Sequence, residues 1–381
     1  MNGSTRGSSL LTISVAALFA LSATQEAAAD KLCIRTRTKV VNGFINLKSG
    51  LKTSGTCPRG YTAVLDTNTF DGEDGTDGSL RIYGDGSAGA LTVASSTSLN
   101  TVDTQYTDVT INAGTTLTVQ SGTVIRCTGT FTNNGTISVA TYANGGTHGT
   151  SNGALLTVQS GAAHPGIGTS SASNGAFGDN TATVYGGGES GGLTQSQARQ
   201  ILKPGPFGGG GGGAGYLSGA NGGGTLTVLC KGAVANNGTI SANGASTSVV
   251  YGDGGGGGGV VILASQASVT NAAAGVINVK GGDGSASMAS AGAGGGGGGG
   301  WTHFIAPVIN STGTINVNGG QAGPTSTQVT NSPRFGGGCG GSSFGSGGLG
   351  GAVFMTNTPN AGQAGDAGIA LETLTDPTSL F

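Results

Sequence analysis

A twelve-residue pattern occurs twice in this chain, and no other feature restricts its fold so tightly. Residues 127–138 read CTGTFTNNGTIS and residues 230–241 read CKGAVANNGTIS, an ungapped C-x-G-x-[FV]-x-N-N-G-T-I-S. Two looser copies follow, VTNAAAGVINVKGGDG at 269–284 and VINSTGTINVNGG at 308–320. They place Ile240, Ile277 and Ile315 at spacings of 37 and 38 residues. Upstream, LTVQSG occurs at 117–122 and again at 156–161. Self-similarity at such a period marks a stacked architecture.

The strand-like pieces between the turns are three to six residues long, too short to bury a core singly. Stacked as rungs they bury one continuously, with Ile on Ile and Val on Val. The expected fold is therefore all-β, a parallel β-helix. A sandwich of hairpins is the alternative, and it leaves a repeat of about 38 residues, read as roughly two short rungs, unexplained. In TDVTINAGTTLTVQSGTVIR (107–126) the alternation points Val109, Ile111, Leu117, Val119 and Val124 inward. Glycine runs at 208–213, 254–259 and 294–300, and a broken run at 336–351, lead into TLTVLC, VVILAS, WTHFIAP and GAVFMT.

Glycine supplies 81 of 381 residues, about three times the usual share. Collagen is excluded, because the glycines come in runs and there are only 9 prolines. Disorder is excluded by a hydrophobic share of 35%, much of it in β-branched runs. Ordering six or seven consecutive glycines carries a large entropy cost. Their recurrence at one place in each repeat predicts a glycine face in which bare backbones hydrogen-bond laterally, as in three-fold polyglycine. A row of flexible loops is the alternative.

The N-terminus carries Arg6, an apolar stretch Leu10–Leu21 and small residues ending in Ala27-Ala28-Ala29. This is the pattern of a secretory signal peptide over 1–29, with cleavage after Ala29 or alternatively Ala23. The stretch is too short for a membrane span, so export to the cell surface or medium is expected. Residues 30–66 read as a small β unit with turns at Asn42-Gly43 and Ser49-Gly50. In an exported chain Cys33 and Cys57 are expected to pair across it. The unit concentrates Lys31, Arg35, Arg37, Lys39, Lys48, Lys52 and Arg59. These form either a solvated face or a patch for an acidic glycan or lipid.

Residues 67–381 are assigned to the solenoid, with a Gly/Ser/Ala-rich excursion at about 140–224 that separates the two closest repeat copies. Within it, 193–204 (LTQSQARQILKP) has helix signals: Thr194 as N-cap, Gln197 completing a capping box, and Pro204 as the stop. If the excursion leaves the solenoid, Cys127 and Cys230 fall on neighbouring rungs, where they stack or pair. Cys339 is left over.

Residues 84–137 (GDGSAGALTV through CTGTFTNNGTI), followed by glycine runs leading into VVILAS and GTINVNGG, resemble a loose group of glycine-rich β-helical proteins. These are bacterial surface or secreted proteins and phage tail-fibre-like proteins. The resemblance implies a β-helical fold and an extracellular setting, and it brings no catalytic residues. The Cys33…Cys57-Pro-Arg-Gly-Tyr segment more faintly resembles two-cysteine segments of other exported bacterial proteins.

The charge balance, 15 basic against 17 acidic residues, offers no basic excess for nucleic acid. Glycoside hydrolysis needs two facing carboxylates. Between residues 87 and 365 only Asp103, Asp108, Asp179, Glu189, Asp253 and Asp283 are acidic, and no two share a repeat position. A polysaccharide-active enzyme would have to bring remote residues such as Asp253 and Asp283 into one groove. Asp71–Gly78 (DGEDGTDG) is a solvated turn or a calcium loop, but its spacing fits neither the EF-hand nor the nonapeptide calcium repeat. His148, His164 and His303 are isolated, and the five cysteines lack zinc spacing. No metal, cofactor or catalytic residue is therefore assigned. Asn134-Gly135-Thr136, Asn237-Gly238-Thr239 and Asn310-Ser311-Thr312 read as solenoid corners where Asn and Gly tolerate positive φ. The expected function is that of an exported structural or adhesive β-helix, binding glycans or other surfaces, or copies of itself, through a long Thr/Asn/Ser-rich face. The other readings are a polysaccharide-active enzyme and a phage-derived receptor binder, the last disfavoured by the signal peptide.

Overall fold

The computed structural model describes residues 31–35, 40–41, 44–45, 52–54, 61–66, 82–146, 177–178, 184–185, 208–215, 218–247, 251–287, 292–325, 334–354 and 360–380. The chain divides into two compact units, 1–77 and 78–381. In the first, Lys31–Arg35 lies between Lys52–Ser54 and Tyr61–Asp66 in an antiparallel sheet, with a register shift between Leu32 and Cys33. Val40–Val41 pairs antiparallel with Phe44–Ile45. The signal segment 1–29, the Cys33–Cys57 pairing, the acidic loop 71–78 and the helix 193–204 lie outside the described residues.

The second unit is a parallel β-helix of three faces, each a sheet of six parallel strands. The first face comprises Leu91–Val93, Val109–Ile111, Phe131–Asn133, Val234–Asn236, Ser268–Asn271 and Val308–Ser311. The second comprises Thr97–Leu99, Thr116–Val119, Thr136–Val139, Thr239–Ser241, Val276–Asn278 and Thr314–Asn316. The third comprises Asp103–Tyr106, Thr123–Cys127, Thr225–Cys230, Val260–Ser265, Trp301–Ile305 and Ile369–Thr373. The chain visits the faces in that order once per rung.

Like stacks on like inside the prism. Leu117, Ile137, Ile240, Ile277 and Ile315 form one column, and Val109, Phe131, Val234, Val269 and Ile309 another. Most of these side chains are fully buried, which contributes roughly 1.5–3 kcal/mol apiece. Cys127 and Cys230 are opposite one another on adjacent strands of the third face and form a disulfide, with Cα atoms 4.5 Å apart. The bond closes the rungs on either side of the long excursion.

Three expectations need correction here. Val124 packs on the outer side of the third face, and Ile125 and Cys127 point inward instead. Strands Thr225–Cys230, Val260–Ser265 and Trp301–Ile305 are buried on both sides, so alternation gives no direction there. The repeat is also not two rungs. It is one three-strand rung plus an excursion, always inserted between the second and third faces: 140–224, 242–259, 279–300 and 317–368. GAVFMT is not a rung strand. Its Val353–Phe354 pairs antiparallel with Val184–Tyr185, and the rung is completed by Ile369–Thr373.

The corners hold for a different reason than expected. Asn133, Asn236 and Asn271 are fully buried at the turn out of the first face. Asn133 Nδ2 donates to Asn236 Oδ1, and Asn236 Nδ2 to Asn271 Oδ1, both at 2.8 Å. Gly135 and Gly238 do not have positive φ, but a Cβ at either would overlap backbone carbonyls of the turn on the preceding rung. Close approach, not handedness, selects glycine there.

The excursions form a second core. Within 252–259, the N–H groups of Gly254 and Gly257 donate to Gly213 and Gly210. Those of Gly255 and Gly258 donate to Gly295 and Gly298, and those of Gly256 and Gly259 to Ala245 and Ala242. Donors to one neighbour are three residues apart, the repeat of an extended helix with three residues per turn. The carbonyls of the same segment accept from Ala220 and Gly223, from Gly338 and Gly341, and from Gly282 and Ser285. Segment 252–259 is thus surrounded on six sides by other segments. Segment 292–300 is surrounded likewise, by 279–285, 338–341, 363–366, 320–323, 345–351 and 255–258. The expected glycine face is in fact a packed bundle. A Cβ at Gly297 would overlap the carbonyl oxygen of Gly256, and one at Gly256 that of Asn221.

Coordination explains composition. The two surrounded segments are almost all glycine, whereas the outer segment 360–368 (NAGQAGDAG) keeps only Gly362, Gly365 and Gly368 facing in. Trp301, Ile262, Ile305, Phe344 and Ile369 fill the junction between the third face and neighbouring chain. His303 lies beside Trp301, ring centroids 5.6 Å apart, with Nε2 2.8 Å from Thr373 Oγ1. Burial lowers its pKa to about 4.

Candidate functional surface

The second face is the most regular surface of the molecule. Its inward residues are held by the isoleucine column, so the alternate positions must point out. Register places Thr116, Thr136, Thr239, Val276 and Thr314 in one outward column, and Ser96, just before the first strand, extends it by accepting from Thr116 N at 3.0 Å. Ser98, Thr118, Ser138, Ser241, Asn278 and Asn316 form the second. All twelve are exposed or partly exposed. Rungs repeat at about 4.8 Å and the columns are about 6.7 Å apart, two residues along a strand. No residue in either column is charged or aromatic.

The first face carries one comparable column, Thr92, Thr110, Thr132, Ala235, Thr270 and Asn310. It is less uniform. Asp108 at its border accepts from the backbone N–H of Thr130 at 2.7 Å and from the Thr130 hydroxyl at 2.9 Å, which lowers its pKa. Asn237 donates to Asn134 along the exposed corner at 2.9 Å. The three central strands Thr225–Cys230, Val260–Ser265 and Trp301–Ile305 of the third face are covered, so only the first two faces present long outward columns.

Among the described residues, the carboxylates singled out in the sequence have separate side-chain partners. Asp253 is fully buried in the glycine bundle, where its Oδ1 accepts from Gly215 N at 2.8 Å. Asp283 is partly exposed, accepts from Gln321 N at 2.8 Å and pairs with Lys280 at 3.4 Å. Asp103 pairs with Arg126 at 2.9 Å on the third face. Cys339 lies buried in the bundle. Among the described residues, no group of three His, Cys, Asp or Glu side chains is placed to hold a metal ion, and no helix is long and apolar enough to cross a membrane. His148, His164, Asp179, Glu189, Cys57 and the side chains of the basic N-terminal residues fall outside the described set.

Composition pointed to a long Thr/Asn/Ser-rich face without saying which residues form it. The signal was the GTIS of the repeat itself, whose Thr and Ser flank the inward Ile. Compared with protein-family models, curated proteins and solved structures, the chain matches none.

Proposed function

We propose that this chain is an exported, rigid surface-binding protein whose second face is its adhesive surface. The observation that carries the reading is the pair of uncharged outward columns on the second face, in register over five rungs in one column and six in the other. A stacked side-chain core, a buried asparagine ladder and a disulfide fix the spacing of those columns, so little entropy remains to be lost on binding. Many weak contacts made at once then give a strong attachment. The signal-like segment 1–29 supports export, and a disulfide fits an oxidising compartment.

The test has two parts. The full chain expressed in a bacterium should be recovered from the envelope or medium with Asp30 as its first residue. The purified chain should be retained on an extended solid such as cell envelopes, crystalline cellulose, chitin or ice, and lysine on the second face should abolish retention. Turnover of a defined polysaccharide, abolished by a single Asp→Ala change, would replace this reading with the enzymatic one.

A further inference from the structure

We propose that the solid bound by the second face is ice, a step that rests on the reading of that face as the adhesive surface. A partner of this face must match three properties. It must be periodic in two directions, because the columns repeat at about 4.8 Å along the axis and about 6.7 Å across it. It must be uncharged, because neither column holds a charged group. It must both donate and accept hydrogen bonds, because hydroxyls and amides such as Thr116, Thr118, Ser138 and Asn278 do both.

An ice surface has all three properties. Its oxygen atoms repeat at a spacing close to the rung spacing of a β-helix, and every water donates and accepts. Threonine also presents a methyl group beside each hydroxyl, which lets a rank of ordered water settle without competing for liquid-like hydration. A charged side chain would instead hold a disordered shell. A polysaccharide fits less well, since sugar rings expose apolar faces that aromatic planes cover, and the columns contain no Phe, Tyr or Trp. A charged mineral or acidic glycan is disfavoured by the same neutrality.

The protein adds rigidity. Thr116, Thr136 and Thr239 stand on strands whose inward neighbours, Leu117, Ile137 and Ile240, are stacked and at most 1% exposed. The lattice is therefore preformed before it meets a partner.

The experiment is partition of the purified full chain into slowly grown ice, read alongside inhibition of ice recrystallisation. Thr118→Lys and Thr136→Lys place charge in the two columns, and Thr110→Lys places the same charge on the first face. Circular dichroism and thermal melting confirm that each variant folds. The chain should enter ice at least about tenfold above a non-binding control, with both second-face variants losing that enrichment and Thr110→Lys keeping it. Exclusion of the folded chain from ice, or equal behaviour of all three variants, overturns the proposal. Retention on cellulose, chitin or cell envelopes that Thr118→Lys abolishes, with exclusion from ice, overturns ice as the ligand and leaves the adhesive reading standing. Failure on every solid overturns both.

Discussion

The prism and the glycine bundle are two cores built on opposite rules. In the prism the interior is side chain: Leu117, Ile137, Ile240 and Ile277 fill it, and the backbone hydrogen bonds run along the walls. In the bundle the interior is mostly backbone: N–H and carbonyl groups of 252–259 and 292–300 point to six neighbours each, and no room is left for a Cβ at Gly254–Gly259 or Gly294–Gly300. The prism is driven by apolar burial. The bundle has little of that and relies on satisfied backbone polar groups together with close packing, at the highest chain-entropy cost of any residue type. The consequence is that the prism tolerates conservative changes of shape, while the bundle tolerates none.

The largest expected effect breaks the bundle rule directly. Replacing Gly256 and Gly297 together by Ala should cost at least about 5 kcal/mol, because each methyl meets a backbone oxygen that cannot move without separating several segments. Gly114→Ala is the control within the prism. Gly114 has φ +75° and open space around its Cβ position, so the cost should be only about 1 kcal/mol of backbone strain. Urea unfolding with hydrogen exchange of the bundle amides measures both. Equal costs for the two changes would mean that the bundle glycines serve conformation and not packing.

Next in size is the disulfide. Cys127 and Cys230 lie 103 residues apart in sequence and face each other across adjacent rungs. Reducing the bond, or changing both residues to Ser, frees the long excursion in the unfolded chain and should cost about 4–5 kcal/mol in the loop-entropy account. Rungs before and after residues 140–224 should then separate first. Thermal melting in the presence and absence of reductant, read against the double Ser variant, checks this. An unchanged melting temperature would show that the stacks alone hold the two halves together.

The repeats were legible because stacking demands like on like, so the side-chain core writes itself into the sequence as a copied pattern. The Cys127–Cys230 juxtaposition followed from the same equivalence of positions. The bundle was only half legible. Its glycine runs announced close packing and the three-fold repeat, but glycine has no side chain to mark a partner, so the neighbours of Gly257 could not be read. Val124 was misassigned because its strand is covered on both sides. Ile369–Thr373 was missed because its apolar run, Ile369-Ala370-Leu371, is short and follows no glycine run. The glycines at 362, 365 and 368 were the available signal, since glycine at every third residue identifies an outer segment with one face turned inward.

The smallest effect sits where the two cores meet. His303 points out from the third face beside Trp301, and burial depresses its pKa from 6.5 to about 4. In the folded chain the ring stays neutral through that interval, while the unfolded chain takes up a proton as pH falls below 6.5. The unfolded state then binds more protons, so stability declines from about pH 6.5 down to about pH 4 and levels off below. The carboxylates held by hydrogen bonds, Asp108 and Asp376, add a decline only at still lower pH, because their pKa values lie below the usual carboxylate value. His303→Gln should flatten the upper part of the curve and leave the lower part unchanged. The variant need not be more stable at neutral pH, since the hydrogen bond to Thr373 is made by the neutral ring. A curve that keeps its slope between pH 6.5 and 4 in the variant would show that the junction between the prism wall and its covering chain is open enough for His303 to titrate like a surface group.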